Sequence, residues 1–178
     1  VIYRLPRGKS IVTPASQCRS CGNSIYPWDN IPLLSYIVLR GRCRFCSEHI
    51  SLRYPAVEFV MGLTFLLLYW RFQLSISFIV YAMLTSILLV VSIIDYDFKI
   101  IPNVITAPCM MLGLLLSTRF LPITFMNSFF GLLVGGVTFY SITLITKGGM
   151  GGGDIKLIAM IGAYIGWKGV LFTIFSGA

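Results

Sequence analysis

The chain has 178 residues, 57% of them hydrophobic and only 11% charged, with a mean hydropathy of +0.86. A soluble domain carries about 25% charged residues, so an ordinary water-soluble globule is excluded, and a disordered chain is excluded by the high apolar content. The formal net charge of +8 is unevenly spread: eight of the fourteen Lys and Arg fall in residues 1–53, which hold only two acids, Asp29 and Glu48. The expected fold class is an all-α polytopic membrane protein. A small basic head (1–54) precedes a transmembrane helical body (55–178). No secretory signal pattern opens the sequence. Val1-Ile2-Tyr3-Arg4-Leu5-Pro6 reads like the exit from a helix, and Ser176-Gly177-Ala178 stops within an apolar run, so a chain truncated at both ends is expected.

In the head, Cys18-Arg19-Ser20-Cys21 and Cys43-Arg44-Phe45-Cys46 form two CxxC pairs separated by 21 residues. Two thiolates two residues apart on a tight knuckle share one tetrahedral ion, and two knuckles complete a closed four-cysteine site. The expectation is a structural zinc held by Cys18, Cys21, Cys43 and Cys46 in a zinc-ribbon-like head, since a closed site has no open position for chemistry. A head of about 50 residues with few large apolar side chains needs such a staple to fold. His49, the only histidine, reads as a surface residue because four cysteines already satisfy the ion. The basic charge fits attraction to anionic headgroups or docking of a substrate segment beside the membrane. Scattered charges and a membrane tether argue against a nucleic-acid partner.

A spanning helix needs roughly 20 mostly apolar residues. Ala56–Trp70 supplies fifteen with one acid, Glu58; Ser75–Ile94 supplies twenty without charge; Asn103–Thr118 sixteen; and Phe120–Thr146 twenty-seven. After Asp154 comes a short glycine-dotted run, Leu157–Trp167, then Lys168, then the beginning of another apolar run. Cys109, inside a span, is a small packing residue. With the head on the cytoplasmic side, alternating spans place eleven basic residues inside and three (Arg71, Arg119, Lys168) outside, as the positive-inside rule requires. The expected location is a cytoplasmic membrane, with the chain crossing it several times.

Ionisable residues at membrane depth are functional candidates by default. Asp95, Asp97 and Asp154 all fall at cytoplasmic span ends, and five of the six residues before Asp154 are glycine. Each acid has a plain structural reading: Asp154 as N-cap of a helix starting at Ile155, Asp97 paired with Lys99, Asp95 facing headgroups. Two carboxylates at one depth on separate spans nonetheless suggest a dyad, in which one keeps a proton and the pair can activate a water. Asp95 and Asp97 are about 200° apart on a helix, so only one of them can face Asp154 if the helix continues through both. Lys156 reads as a lysine snorkelling to the interface.

These residues resemble the type IV prepilin peptidases, membrane aspartic proteases of the GxGD type. Arg4-Leu5-Pro6, the paired CxxC motifs, Arg53-Tyr54-Pro55-Ala56-Val57-Glu58, Asp95-Tyr96-Asp97-Phe98-Lys99-Ile100-Ile101-Pro102 and Gly151-Gly152-Gly153-Asp154-Ile155-Lys156-Leu157 are similar to family motifs, in order, over nearly the whole chain. Asn103 stands where the family often has Asp. Tyr96-Asp97 is similar to the Tyr-Asp of presenilin-like GxGD proteases, but the spacing to Pro102 favours Asp95. The resemblance implies that Asp95 and Asp154 are the catalytic pair of an endopeptidase that cuts the short basic leader from prepilin or pseudopilin substrates at the inner membrane face. Many members also methylate the new N-terminus with S-adenosylmethionine, for which the sequence offers no Gly-rich strand–turn–helix cradle. The competing class is a proton- or cation-coupled transporter using the same Asp residues; a third is a noncatalytic membrane adaptor whose head recruits a cytoplasmic partner.

Overall fold

The computed structural model describes residues 4–8, 10, 16–18, 20–146 and 151–177. Among them the regular structure is helical: α1 (Leu34–Val38), α2 (Arg53–Phe72), α3 (Ile76–Phe98), α4 (Asn103–Ser117), α5 (Phe125–Ile145) and α6 (Gly152–Gly177). Two short 3-10 turns, Leu5–Arg7 and Pro27–Asn30, and two isolated bridges, Gln17 to Ser24 and Arg42 to His49, complete it. The chain forms two compact units, Tyr3–Gln73 and Leu74–Ala178.

In the first unit, α2 starts with Pro55 in its first turn, where a missing N–H costs nothing. Glu58 lies five residues into α2, and its Oε2 accepts the backbone N–H of Leu33 at 2.8 Å. Leu33 is the residue before α1 and has a φ of 62°. The carboxylate therefore pins the entry to α1 against the early turns of α2.

In the second unit, α3 begins at a Ser75 cap whose hydroxyl accepts the Phe78 N–H at 3.2 Å, and α5 at a Thr124 cap accepting from Asn127 at 3.4 Å. Water-soluble helices bury large side chains against each other, but helices in lipid gain little that way and associate through small residues. Here α5 turns Ser128, Gly131 and Gly135 inward. A Cβ on Gly131 would overlap the Gly162 carbonyl oxygen, and one on Gly162 would overlap that of Gly131, so the two backbones touch. The Ser128 hydroxyl donates to the Ala163 carbonyl at 2.5 Å, and the buried Tyr164 hydroxyl to the Cys109 carbonyl at 2.9 Å. Val80, Leu84, Cys109, Leu121, Met160, Ala163 and Tyr164 form the core, which gives Cys109 the packing role expected of it.

Helices α2, α3 and α5 are long and apolar enough to cross a membrane; α6 reaches that length only when its two parts on either side of Gly166 are counted together, and α4 has fifteen residues. At 1.5 Å per residue α4 is about 22 Å long, short of a hydrocarbon core of about 30 Å. The break expected at Lys168 lies instead at Gly166, where φ is 72° and ψ is 174°. A Cβ on Gly162 would come within 2.9 Å of Val170 Cγ2, eight residues on. A straight helix separates such residues by about 12 Å, so the chain turns back at Gly166, and Lys168 sits inside the returning segment. A residue with a Cβ rarely holds this backbone conformation, which is why glycine occupies the turn.

Candidate functional site

The cysteine pairs form two matching knuckles. In the first, the Cys18 N–H bonds the Asn23 carbonyl at 2.9 Å and the Gly22 N–H bonds the Cys18 carbonyl at 3.0 Å; in the second, Cys43 to Glu48 and Ser47 to Cys43 repeat the pattern at 2.9 and 3.0 Å. Gly22 and Ser47, at the equivalent place, both have positive φ, 72° and 57°. The four Sγ atoms lie within 4.8 Å of one another, with Cys18 and Cys46 3.8 Å apart. Thiolates bound tetrahedrally at about 2.3 Å stand about 3.8 Å apart, so the donor set fits one zinc ion. Backbone N–H groups of Cys21 and Ser20 bring the Cys18 thiol down from 9.0 to about 6. At Cys46 the Glu48 N–H also lowers the value, but desolvation and the three other thiols push it up to about 12. Four thiols this close lose their protons in sequence rather than independently. His49 is exposed, bridges to Arg42 through its backbone, and is not part of the cluster.

The second knuckle is tied to the turn at Pro27–Asn30. Arg44 donates twice to Asp29, Nε to Oδ2 at 2.8 Å and Nη2 to Oδ1 at 2.6 Å, and holds the Asp29 carboxyl below its usual value of 3.8. Tyr26 stacks on Trp28 with ring centroids 4.9 Å apart and meets Phe45 at 5.5 Å.

In the second unit, α3 continues through Asp95 and Asp97 to Phe98. Its buried residues, Val80, Leu84, Val91 and Ile94, form one stripe. At 100° per residue Asp95 lies within about 60° of the centre of that stripe and Asp97 more than about 100° from it. Accordingly Asp95 is half-buried and Asp97 exposed. The helix stops at Lys99, in the left-handed conformation, with its N–H returned to the Asp95 carbonyl at 2.8 Å. Asp154 is the third residue of α6, which begins at Gly152. It is therefore inside the first turn and not an N-cap; its own N–H bonds the Gly151 carbonyl at 3.1 Å.

Two contacts join the start of α6 to the link between α3 and α4 and to the first residue of α4. A Cβ on Gly153 would lie 2.9 Å from the Ile101 Cβ, so the glycine before Asp154 seats the chain that leaves α3. Lys156 Nζ donates to Asn103 Oδ1 at 2.9 Å. Lys156, expected to snorkel to the interface, is exposed and joined to the start of α4. Among the described residues the Asp95 and Asp154 carboxylates make no hydrogen bond or ion pair, while Asp97 has an interaction of its own. Lys147, Gly148, Gly149 and Met150, which include half of the glycine-rich stretch before Asp154, lie outside the described residues. Ile155, next to Asp154, lines an open apolar groove of about 390 Å³ with Leu132, Leu133, Gly136, Val137 and Tyr140. Sequence reasoning missed the Glu58 to Leu33 and Lys156 to Asn103 hydrogen bonds; each joins residues 25 or more apart, and no local pattern encodes such a pairing.

Residues 1–72 match the Bacterial Peptidase A24 N-terminal domain, and residues 82–178 match the Type IV leader peptidase family. A prepilin leader peptidase/N-methyltransferase of Pseudomonas putida is 39% identical over 166 residues, covering 90% of this chain and 58% of that protein. The protein of the same name from Pseudomonas aeruginosa is 38% identical over 93% of this chain and 59% of its own length, and that of Klebsiella pneumoniae is 34% identical over 98% and 81%. The chain thus spans a little under three fifths of the two Pseudomonas relatives. No solved structure matches it. The match over more than half of the chain, on a helical body of this kind, establishes that the chain belongs to the Type IV leader peptidase family.

Proposed function

We propose that the chain is a membrane aspartic endopeptidase that removes the short basic leader of type IV prepilin-like proteins at the cytoplasmic membrane face. Asp95 and Asp154 are its catalytic carboxylates. The observation that carries this reading is the seating of Ile101 and Asn103, six and eight residues past Asp95, on Gly153 and Lys156, one and two residues from Asp154. The position of Asp95 beside the buried stripe of α3, with Asp97 turned away, supports Asp95 as the first acid.

A carboxylate pair of this kind works with one partner ionised and the other protonated. The ionised one takes a proton from water as the water oxygen attacks the scissile carbonyl, and the protonated one donates to the carbonyl oxygen. The resulting diol collapses as its C–N bond breaks and a proton passes to the leaving amine. A pilin-like substrate has a basic leader outside the bilayer and an apolar helix within it, and acids at the interface meet the bond between those parts. The apolar groove beginning at Ile155 offers a surface for the substrate's apolar segment. Cytoplasmic placement of the head rests on the eleven-to-three distribution of basic residues.

Cys18, Cys21, Cys43 and Cys46 would hold a zinc ion, which supplies structure by cross-linking the two knuckles and takes no part in hydrolysis. For S-adenosylmethionine, no methyl-transfer step is assigned to this chain; the names of the relatives are what raises that activity. A transporter reading has no support among the relatives.

The test is cleavage of a prepilin-type substrate by the protein in membranes. Asp95→Ala and Asp154→Ala are expected to abolish cleavage, and Asp97→Ala to retain it. Loss with Asp97→Ala in place of Asp95→Ala would move the first acid. Cleavage unchanged in all three variants, with the proteins inserted, would end the aspartic protease reading.

A further inference from the structure

We infer that α1 is an interfacial anchor, lying at the bilayer surface with Leu34, Ile37 and Val38 inserted among the lipid headgroups and upper acyl chains. These three residues recur at i, i+3 and i+4 and so share one face of the helix. They are 59%, 70% and 73% exposed. The opposite face carries Tyr36, whose ring packs against Gly41 and whose hydroxyl reaches the Ile50 carbonyl at 3.4 Å. The helix therefore turns its aliphatic residues away from its own unit and its phenol inward. A water-facing helix shows the reverse arrangement.

The depth of this face is set by α2, in the same unit. Leu33 is bonded to Glu58, five residues past the start of a helix apolar enough to span the membrane. Five residues are about 7.5 Å along the axis, which is interfacial depth and matches the roughly 5–10 Å to which amphipathic segments bury their apolar face. Arg40 and Arg42, just past α1, and Arg53, at the start of α2, are exposed and supply positive charge where anionic headgroups stand. The presence of an acid, Glu58, within a candidate span is thereby explained, since its carboxylate holds the anchor at this level. The inference requires only that α2 crosses the bilayer and is independent of the peptidase reading.

The experiment places a single tryptophan on the face by Ile37→Trp in a chain carrying Trp28→Phe, Trp70→Phe and Trp167→Phe, reconstituted in phosphatidylethanolamine–phosphatidylglycerol vesicles. Fluorescence is quenched by lipids brominated at a shallow or a deep acyl position and, separately, by iodide on both sides of the vesicle. The expected result is at least twofold quenching by the shallow bromolipid, less by the deep one, and little by iodide. Efficient iodide quenching without bromolipid quenching would put α1 in water and overturn the inference. Protection from both quenchers would overturn it equally, because protein would then cover the face. Leu34→Trp and Val38→Trp read the same face should Ile37→Trp fold poorly. Tyr36→Trp, on the opposite face, is expected to be less sensitive to bromolipid than any of the three.

Discussion

Every fully buried apolar side chain among the described residues lies at Val80 or beyond, and none lies in residues 4–73. The second unit, from Leu74 onward, is held by close helix contacts in which two glycines and a serine on α5 meet carbonyls of α6. The first unit has no such core among its described residues. It is held by point links: four thiols in one cluster, a bidentate Arg44 to Asp29 pair, a stacked aromatic pair and the Glu58 to Leu33 bond. The difference follows from size and solvent. A segment of about 50 residues cannot bury enough surface to fold by apolar contact alone, while helices in lipid gain little from apolar burial and rely on fit.

The sharpest way to break this contrast is to remove the metal site. Cys43→Ser, or a strong chelator, is expected to unfold the head and leave the body intact, since structural zinc contributes on the order of 10 kcal/mol to small metal-dependent folds. Trypsin cleavage at Arg40, Arg42 and Arg44 alongside an unchanged thermal transition of the body would show it. The same dependence has a pH sign. The Cys18 thiol is lowered from 9.0 to about 6 and the Cys46 thiol raised to about 12, so the four share no single titration, and the sign follows from protons competing with the metal for the thiolates as pH falls. Metal content measured against pH should therefore fall on the acid side.

The complementary change strikes the body alone. Gly131→Ala drives a Cβ into the Gly162 carbonyl oxygen, and overpacking against backbone costs about 3 kcal/mol or more. Unfolding in detergent should show a large drop in midpoint with metal content unchanged. A smaller loss in the same region is expected for Tyr164→Phe, which leaves the Cys109 carbonyl without its donor and costs about 1 kcal/mol. The smallest effect belongs to Asp29→Asn. Arg44 holds that carboxyl below 3.8, so its contribution is present at neutral pH and lost as pH falls below that value. The Arg44 guanidinium is open to solvent while the Asp29 side chain is largely covered, so salt screens part of it. Protease sensitivity of the head should rise slightly at neutral pH, and wild type and variant should converge in acid.

Much of this protein was legible in its sequence because the signals are local. The CxxC pairs specify two knuckles whose hydrogen bonds close within six residues of each cysteine, and the uncharged runs specify helices because lipid leaves the backbone no other partner than itself. Four of the expected runs correspond to α2, α3, α4 and α5, with ends shifted where caps such as Ser75 and Thr124 decide the start. The acids could be placed at span ends from charge alone. The sequence could not say where the last apolar stretch bends, because Lys168 is the conspicuous interruption while Gly166 is one of several glycines and is singled out only by the approach of Val170 to Gly162. Nor could it choose a partner for Lys156 or Glu58. Those hydrogen bonds cross 53 and 25 residues, and a long-range bond is fixed by how whole helices pack, which no spacing along the chain records. Which of Asp95 and Asp97 lies toward the packed face is of the same kind: their separation of about 200° is a property of the helix, but the direction of the buried stripe is a property of the bundle.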